Sequence, residues 1–417
     1  MIMRCLFIIS IISISGCYGY KELPLREQVA TVEKVQDIEI QTTKLLSNGT
    51  IDETNAIRLA LAFNPDIRIP LIHDRGFGEN EVQFRGVARP ELQVTKDSST
   101  VGLNVDMFSL YNLLSYTERQ AWREMRRAER TQVFSEQSGA VIRLTRDVRL
   151  AFLELARLAK QDEILNNELL ALLQYKIKIE KKIDNVSAIA LSLAEAELRE
   201  KIDKVKGELT NAELVITSLV GTEPEKKLKF DTKDTLSVTI MPEIKTIREM
   251  SKSASENNWK LISLSSQYIR KEYDLRQAYL RCWGQISIGP SLTFIPGDTS
   301  VGVSVRVRIP WPSHSEDNIK DTTDERALIA ARYTDTLHDL QSDIMKQYNE
   351  MQVKWDSLKN PRISVNWLGN ILDAERNNMD IHIYLDLQTR IFNQELHQLD
   401  EVAKYKMSGI LLDSLLK

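Results

Sequence analysis

Two stretches of the chain alternate apolar and polar residues with a period of two. Each stands ahead of a longer tract where apolar residues recur every three or four positions. In "ELQVT", Leu92 and Val94 share one face, and in "TVGLNVDMF" Val101, Leu103, Val105 and Met107 oppose Gly102, Asn104 and Asp106. In "GQISIGPSLTF", Ile286, Ile288, Leu292 and Phe294 oppose Gln285, Ser287, Gly289, Ser291 and Thr293. "TSVGVSVRVRIPWP" sets Val301, Val303, Val305, Val307 and Ile309 against Gly302, Ser304, Arg306 and Arg308. Polar tips at Lys96-Asp97-Ser98-Ser99 and Pro296-Gly297-Asp298 separate the members of each pair. Alternation bounded by turn residues predicts two β-hairpins, at about 91–108 and about 284–310.

The longer tracts predict helices. Val141, Leu144, Val148, Ala151, Leu155, Leu158, Leu165, Leu169, Leu172 and Ile179 step by three and four, interrupted by Asp162 and Lys176. Such a heptad seam winds helices around one another. Proline is absent between Pro90 and Pro224, so about 65 residues can continue as one helix of roughly 100 Å. Lys182 to Asn185 marks a reversal, and the seam resumes at Leu198, Ile202, Val205, Leu209, Ala212, Ile216 and Leu219, ending at Gly221 and Pro224. Ahead of the first hairpin, Thr50 and Glu53 have the spacing of a helix cap, with Ile57, Leu59, Ala60 and Leu61 as the apolar face.

The plan then recurs after about 190 residues. "MPEIKTIREMSKSASENNWKLISLSSQYIRKEYDLRQAYL" reads as one helix, followed by the second hairpin and a long helix from about Asp324 to Leu358. A reversal within 360–382 leads to a last helix carrying Leu385, Phe392, Leu396, Leu399, Ala403 and Ile410. A recurrence of this length is an architectural signal. The expected organisation is a first repeat over 49–240, with its helical hairpin at about 115–220. A second repeat follows over 241–417, with its helical hairpin at about 324–416. The fold class is mainly α with a small β part.

Four strands, apolar on one face and polar on the other, match the alternation of membrane-spanning β-strands. Lipid does not tolerate an open sheet edge, because unpaired backbone groups cost several kcal/mol each there. Single-chain barrels begin at eight strands, so four strands in lipid must share a barrel with other copies. Three copies give twelve strands in a closed threefold ring. Asn104, Asp106, Arg306 and Arg308 would then face the lumen, where general wetting of the interior serves as well as ion selection. The other reading of the same pattern is a coiled-coil stalk bearing a small water-exposed sheet.

The N-terminus adds a location. "MIMRCLFIISIISISGCYGY" carries Arg4 and then an apolar run from Cys5 to Ile14, the right length for a signal peptide and too short to span a bilayer. Ile14-Ser15-Gly16-Cys17 resembles a bacterial lipoprotein cleavage box. Residues 1–16 are therefore expected to be removed, Cys17 to be lipidated with palmitate among its acyl chains, and 17–48 to run extended. Cys282 is left without a disulfide partner. A net charge of −4 and the lack of a long basic patch argue against nucleic acid. The five histidines are scattered without a nucleophile or ligand partner, so neither an enzyme, a metal site nor a cofactor is expected.

The ordered segments resemble the outer-membrane efflux protein family, the TolC-like channels. "TIDETNAIRLALAFNPDIR" is similar to the family's opening helix, and "ARPELQV" to its approach to the first strand. "NNWKL" with "RQAYLRCWGQISI" resembles the matching segment of the second repeat. "NVSAIALSLAEAELREKIDKVKGELTNAELVITSLVG" and "IYLDLQTRIFNQELHQLDEVAKYKMSGILLDSL" resemble the helices that close the repeats. Pro70, Gly76 and Gly78 depart from the pattern, as do Arg281 and the missing glycine pair after each hairpin.

The resemblance implies a homotrimeric, passive outer-membrane channel with a periplasmic α-barrel, docked on a periplasmic adaptor (membrane-fusion) protein and an inner-membrane pump. It would export small molecules such as drugs or metals, or proteins as in type I secretion. It also implies that the two helical reversals, Asp184, Asn185, Val186 and Ser187 at one and Asp373, Glu375, Met379 and Asp380 at the other, meet the adaptor or narrow the entrance. Asp386 is a further carboxylate near the second reversal, and for each such residue a solvated helix face is the plainer reading. A lipid-anchored periplasmic coiled-coil adaptor or structural protein is the alternative.

Overall fold

The computed structural model describes residues 50–64, 67, 91–96, 101–106, 111–112, 115–179, 185–221, 228–237, 247–282, 285–295, 298–308, 312–359 and 381–417. Residues 1–49, including Cys17, lie outside the described residues, as do Pro70, Gly76, Gly78, Asp184, Asp373, Glu375, Met379 and Asp380. The first compact unit, Met1–Ile51, falls almost wholly there; the architecture below belongs to the second, Asp52–Lys417.

That unit is mostly helical. It opens with α1 (Glu53–Phe63), followed by strands β1 (Glu91–Lys96), β2 (Val101–Asp106) and β3 (Tyr111–Asn112). The long α2 (Ser115–Ile179) and α3 (Asn185–Val220) come next. The second half comprises α4 (Ile247–Asn257), α5 (Trp259–Cys282), β4 (Gln285–Ile295), β5 (Asp298–Arg308), α6 (Pro312–Lys359) and α7 (Ile381–Leu416). Helix α2 is 65 residues long, about 98 Å at the α-helical rise. Among the described residues no helix is long and apolar enough to cross a membrane.

Local chemistry corrects three expectations. The cap of α1 is Asp52 rather than Thr50: its Oδ1 accepts from the Asn55 amide at 2.7 Å, satisfying a donor the first turn leaves open. The helix expected across 241–280 breaks at Asn258, whose Oδ1 accepts from the Lys260 amide at 3.0 Å and caps a new helix. The second long helix begins at Pro312, twelve residues before Asp324. Proline suits that first position, where its preset φ fits the helix and no amide is required.

All the described strands join one sheet. β1 pairs β2 antiparallel, β2 pairs β4, and β4 pairs β5, so the hairpins of the two halves meet at β2 and β4. The register aligns Leu92, Val105, Leu292 and Val301 in one row across four strands, and Gln93, Asn104, Thr293 and Ser300 in the next. β3 pairs with β4 at Tyr111–Ile288 and Asn112–Ser287, on the edge that β2 uses further along.

Helix α2 packs against α3, α5 and α7, while α6 packs against α5 and α7. Leu158 and Leu165 of α2 meet Ile202 and Val205 of α3 and Phe392 of α7. Further along, Leu172 and Tyr175 meet Leu191 and Tyr384. A separate cluster ties Met250 and Ala254 of α4 to Leu261, Leu340, Ile344, Met351, Tyr405 and Leu412. The side chains thus buried are the apolar seams, and their removal from water drives the assembly of helices that charged residues otherwise dominate.

Candidate functional site

The feature most able to do work is the helical wall formed by α2, α3 and α7. Its position is fixed from one end by α1. Arg149 of α2 reaches Glu53 of α1 and Asp413 of α7, both at 3.1 Å. The Asn64 amide after α1 donates to the carbonyl of Leu219 near the end of α3 at 3.0 Å. Gly221, with φ of 74°, closes α3 in the left-handed conformation and brings its backbone against Phe63. The connection after α3 returns over the wall: Phe230 meets Phe152 edge-on at 5.6 Å, and Lys406 donates to the carbonyl of Thr235.

Helix α5 is seated on α2 through Trp259, whose ring covers Gly139 so closely that any added Cβ would overlap it. The Arg143 guanidinium lies 4.6 Å from the indole centre on one flank, and Lys260 5.7 Å away on another. On α7, Glu401 is only 5% exposed, and Lys354 of α6 neutralises it at 2.9 Å. A buried carboxylate needs such a partner.

The α2/α7 seam carries successive polar contacts. Arg157 lies 3.5 Å from Asp400, Gln388 hydrogen-bonds Glu168, and the Tyr175 and Tyr384 rings stack at 3.7 Å. Burial raises the Glu168 carboxyl to about 7, against the Gln388 hydrogen bond that favours its ionised form. Burial likewise pushes Glu395 upward, with Lys160 opposing. On the other side of α2, Lys176 bridges to Glu195 of α3 at 2.8 Å, and Arg199 also pairs with Glu195. These two cations hold Glu195 below the ordinary carboxylate range.

The residues singled out from sequence fall in two places. Asn185, Val186 and Ser187 form the first turn of α3, with Val186 65% exposed and Ser187 buried. Asp386 lies near the start of α7 and pairs with Arg390 at 2.9 Å along its own helix. In the sheet, Asn104 is aligned with Gln93 and Thr293, and Asp106 with Glu91 and Ser291. Arg306 is aligned with Ser287 and Arg308 with Gln285, so all four stand in polar rows. Sequence reading passed over Glu168, Gln388 and Glu395. Their signal was a polar residue three positions after Leu165, on the flank of an otherwise apolar seam.

Among the described residues no group of three or more His, Cys, Asp or Glu side chains is placed to hold a metal ion.

No protein-family model matches the chain, and no curated protein matches it. Solved structures do. The transmembrane-channel protein CusC superposes with a TM-score of 0.71 at 14% identity, over 88% of this chain and 93% of its own. The outer membrane protein VceC of Vibrio cholerae gives 0.69 at 12% identity, over 87% and 95%. The MtrE outer membrane channel of Neisseria gonorrhoeae, in its open state, gives 0.68 at 11%, over 87% and 88%. The fold of this chain, over nearly its whole length, is that of the outer-membrane channel proteins.

Proposed function

We propose that the chain is the outer-membrane channel of a tripartite export system, a passive homotrimeric conduit for small molecules or proteins. The observation that carries this reading is the single sheet built from both halves of the chain. Its apolar and polar positions keep their alternation from strand to strand, and among the described residues β1 and β5 each pair on one side only. Two open edges are untenable in lipid and are satisfied when copies join edge to edge. Three copies make a barrel of twelve strands. The likeness to outer-membrane channels supports the same assembly.

In this reading the apolar rows meet lipid, while Asn104, Asp106, Arg306 and Arg308 line the pore. The helical hairpins of the repeats, 49–240 and 241–417, extend the barrel through the periplasm as an α-barrel. Their reversals, around Asp184–Ser187 and Asp373–Asp380, dock a periplasmic adaptor and, through it, an inner-membrane pump. Cleavage after residue 16 leaves Cys17 as a lipid anchor in the outer membrane. Transport needs no catalytic group, because the pump supplies the energy.

The test is purification from outer membranes followed by native mass measurement and planar-bilayer recording. The expected result is a particle of three chains that conducts ions. A monomer recovered from the periplasm without conductance overturns the reading and leaves a tether or adaptor.

A further inference from the structure

The polar contacts along the α2/α7 seam form a ladder, and one rung depends on a proton. Arg149–Asp413 and Arg157–Asp400 are pairs of opposite charge, and Tyr175–Tyr384 is a stack of neutral rings. Glu168–Gln388 is different. Gln388 is only 6% exposed, its amide donates to Glu168, and its carbonyl Oε1 has no donor among the described residues. A neutral carboxylic acid and a primary amide can make two hydrogen bonds together, acid O–H to amide oxygen and amide N–H to acid oxygen. An ionised carboxylate keeps only the second, and that bond, which favours the charged form, is outweighed by the cost of holding the charge in the packed seam.

The surrounding charges do not replace the proton. Seven residues beyond Gln388, on the same heptad face of α7, Glu395 adds a second carboxyl that opposes ionisation of Glu168. On α2, Lys160 pairs with Glu163 at 2.8 Å, and Asp162 holds a buried Oδ1 without a donor. On α3, Lys201 lies over the Phe392 ring at 5.9 Å, and Glu195 is engaged by Lys176 and Arg199. On α7, Asp386 pairs with Arg390, and His382 and His397 are exposed. Among the described residues no ion pair reaches Glu168.

We propose that Glu168 and Gln388 form a proton-operated clasp between α2 and α7, tight when Glu168 is neutral and loosened when it ionises. The end of the seam beyond the clasp, where Tyr175 stacks on Tyr384, then parts more readily in alkaline than in acidic medium. That such parting widens a passage rests on the channel reading; the clasp itself does not. The sign follows from the carboxyl's shift. The packed seam raises Glu168 to about 7, so the clasp is complete below the free carboxylate's ordinary range and is lost as pH rises through 7.

Hydrogen exchange of the full-length protein in detergent tests this, read on peptides spanning 168–179 and 384–395 and corrected for intrinsic exchange. Between pH 6 and 8 the corrected rate is expected to rise about tenfold, following the ionised fraction of one group titrating near 7. Glu168→Gln should stay at the slow acid-side rate throughout, and Glu395→Gln should move the midpoint downward in pH. An unchanged wild-type rate overturns the clasp; a rise that persists in Glu168→Gln assigns the effect to another group, such as His382 or His397, and overturns it too. Bilayer conductance at the same pH values separates the two claims. Exchange that responds in a protein that never conducts supports the clasp and counts against the channel.

Discussion

Asn64 and Asn258 do the same thing in the two halves of the chain. The Asn64 amide donates to the carbonyl of Leu219 near the end of α3, at 3.0 Å, and the Asn258 amide donates to that of Leu415 near the end of α7, at 3.1 Å. In each half an asparagine that follows a short helix ties off the last long helix of that half.

Replacing Asn258 should therefore cost more than replacing Asn64. Asn258→Ala removes both the cap of α5 and the bond to Leu415, for a loss of about 2–3 kcal/mol. Asn64→Ala loses the part-buried bond to Leu219, which is itself worth about 1 kcal/mol. Asn258→Asp keeps the cap acceptor and should fall between the two. Denaturation followed by helical circular dichroism ranks the three.

The Tyr175–Tyr384 stack should register as a coupling. Each single change to leucine loses ring contacts, and the double-mutant cycle should return about 0.5–1.5 kcal/mol of interaction beyond the lost area. A coupling near zero would show that the rings share a pocket without stabilising one another.

Gly139→Ala should destabilise by about 1–3 kcal/mol, because its methyl group meets the Trp259 ring. Combining it with Trp259→Leu should recover part of that loss, since the smaller side chain leaves room. The stability of the double variant relative to Trp259→Leu alone decides the point.

Phe392 packs at the junction of α2, α3 and α7. Phe392→Ala should cost about 3–5 kcal/mol and unfold first near that junction. Lys201→Ala removes only a distant cation above the same ring and should cost under about 1 kcal/mol.

Acid should act oppositely on the two sides of α2. Glu195 is held below the ordinary carboxylate range by Lys176 and Arg199. Its contribution to the α2/α3 contact is present above the free carboxylate's pKa and is lost as pH falls through the lowered value. Glu195→Gln should abolish that acid sensitivity, read from exchange protection of 176–199, while leaving the Glu168 response intact.

What was legible in the sequence was whatever repeats along one element. Leu158, Leu165 and Leu172 stand seven apart and are among the buried residues of α2, because burial of an apolar stripe imposes its period. The strand faces were legible for the same reason, and the register keeps them aligned across four strands. The break at Asn258 was not, since it depends on a side chain bonding both its own helix start and the far end of α7. Glu168 escaped because a glutamate beside a leucine seam is ordinary; only the approach of Gln388 and Glu395 from a helix more than two hundred residues later makes it unusual.

The length of α2 has a mechanical consequence. Its buried Leu158, Leu165 and Leu172 recur in sevens and pack against buried residues of α3 and α7. The body therefore behaves as a ruler graduated in heptads. It can be lengthened or shortened by about 10 Å at a time, provided every strut loses or gains the same seven residues. An increment other than a whole heptad would rotate the leucines of one strut out of the joint. The distance this protein reaches is thus a quantised property, adjustable by whole graduations and resistant to anything between.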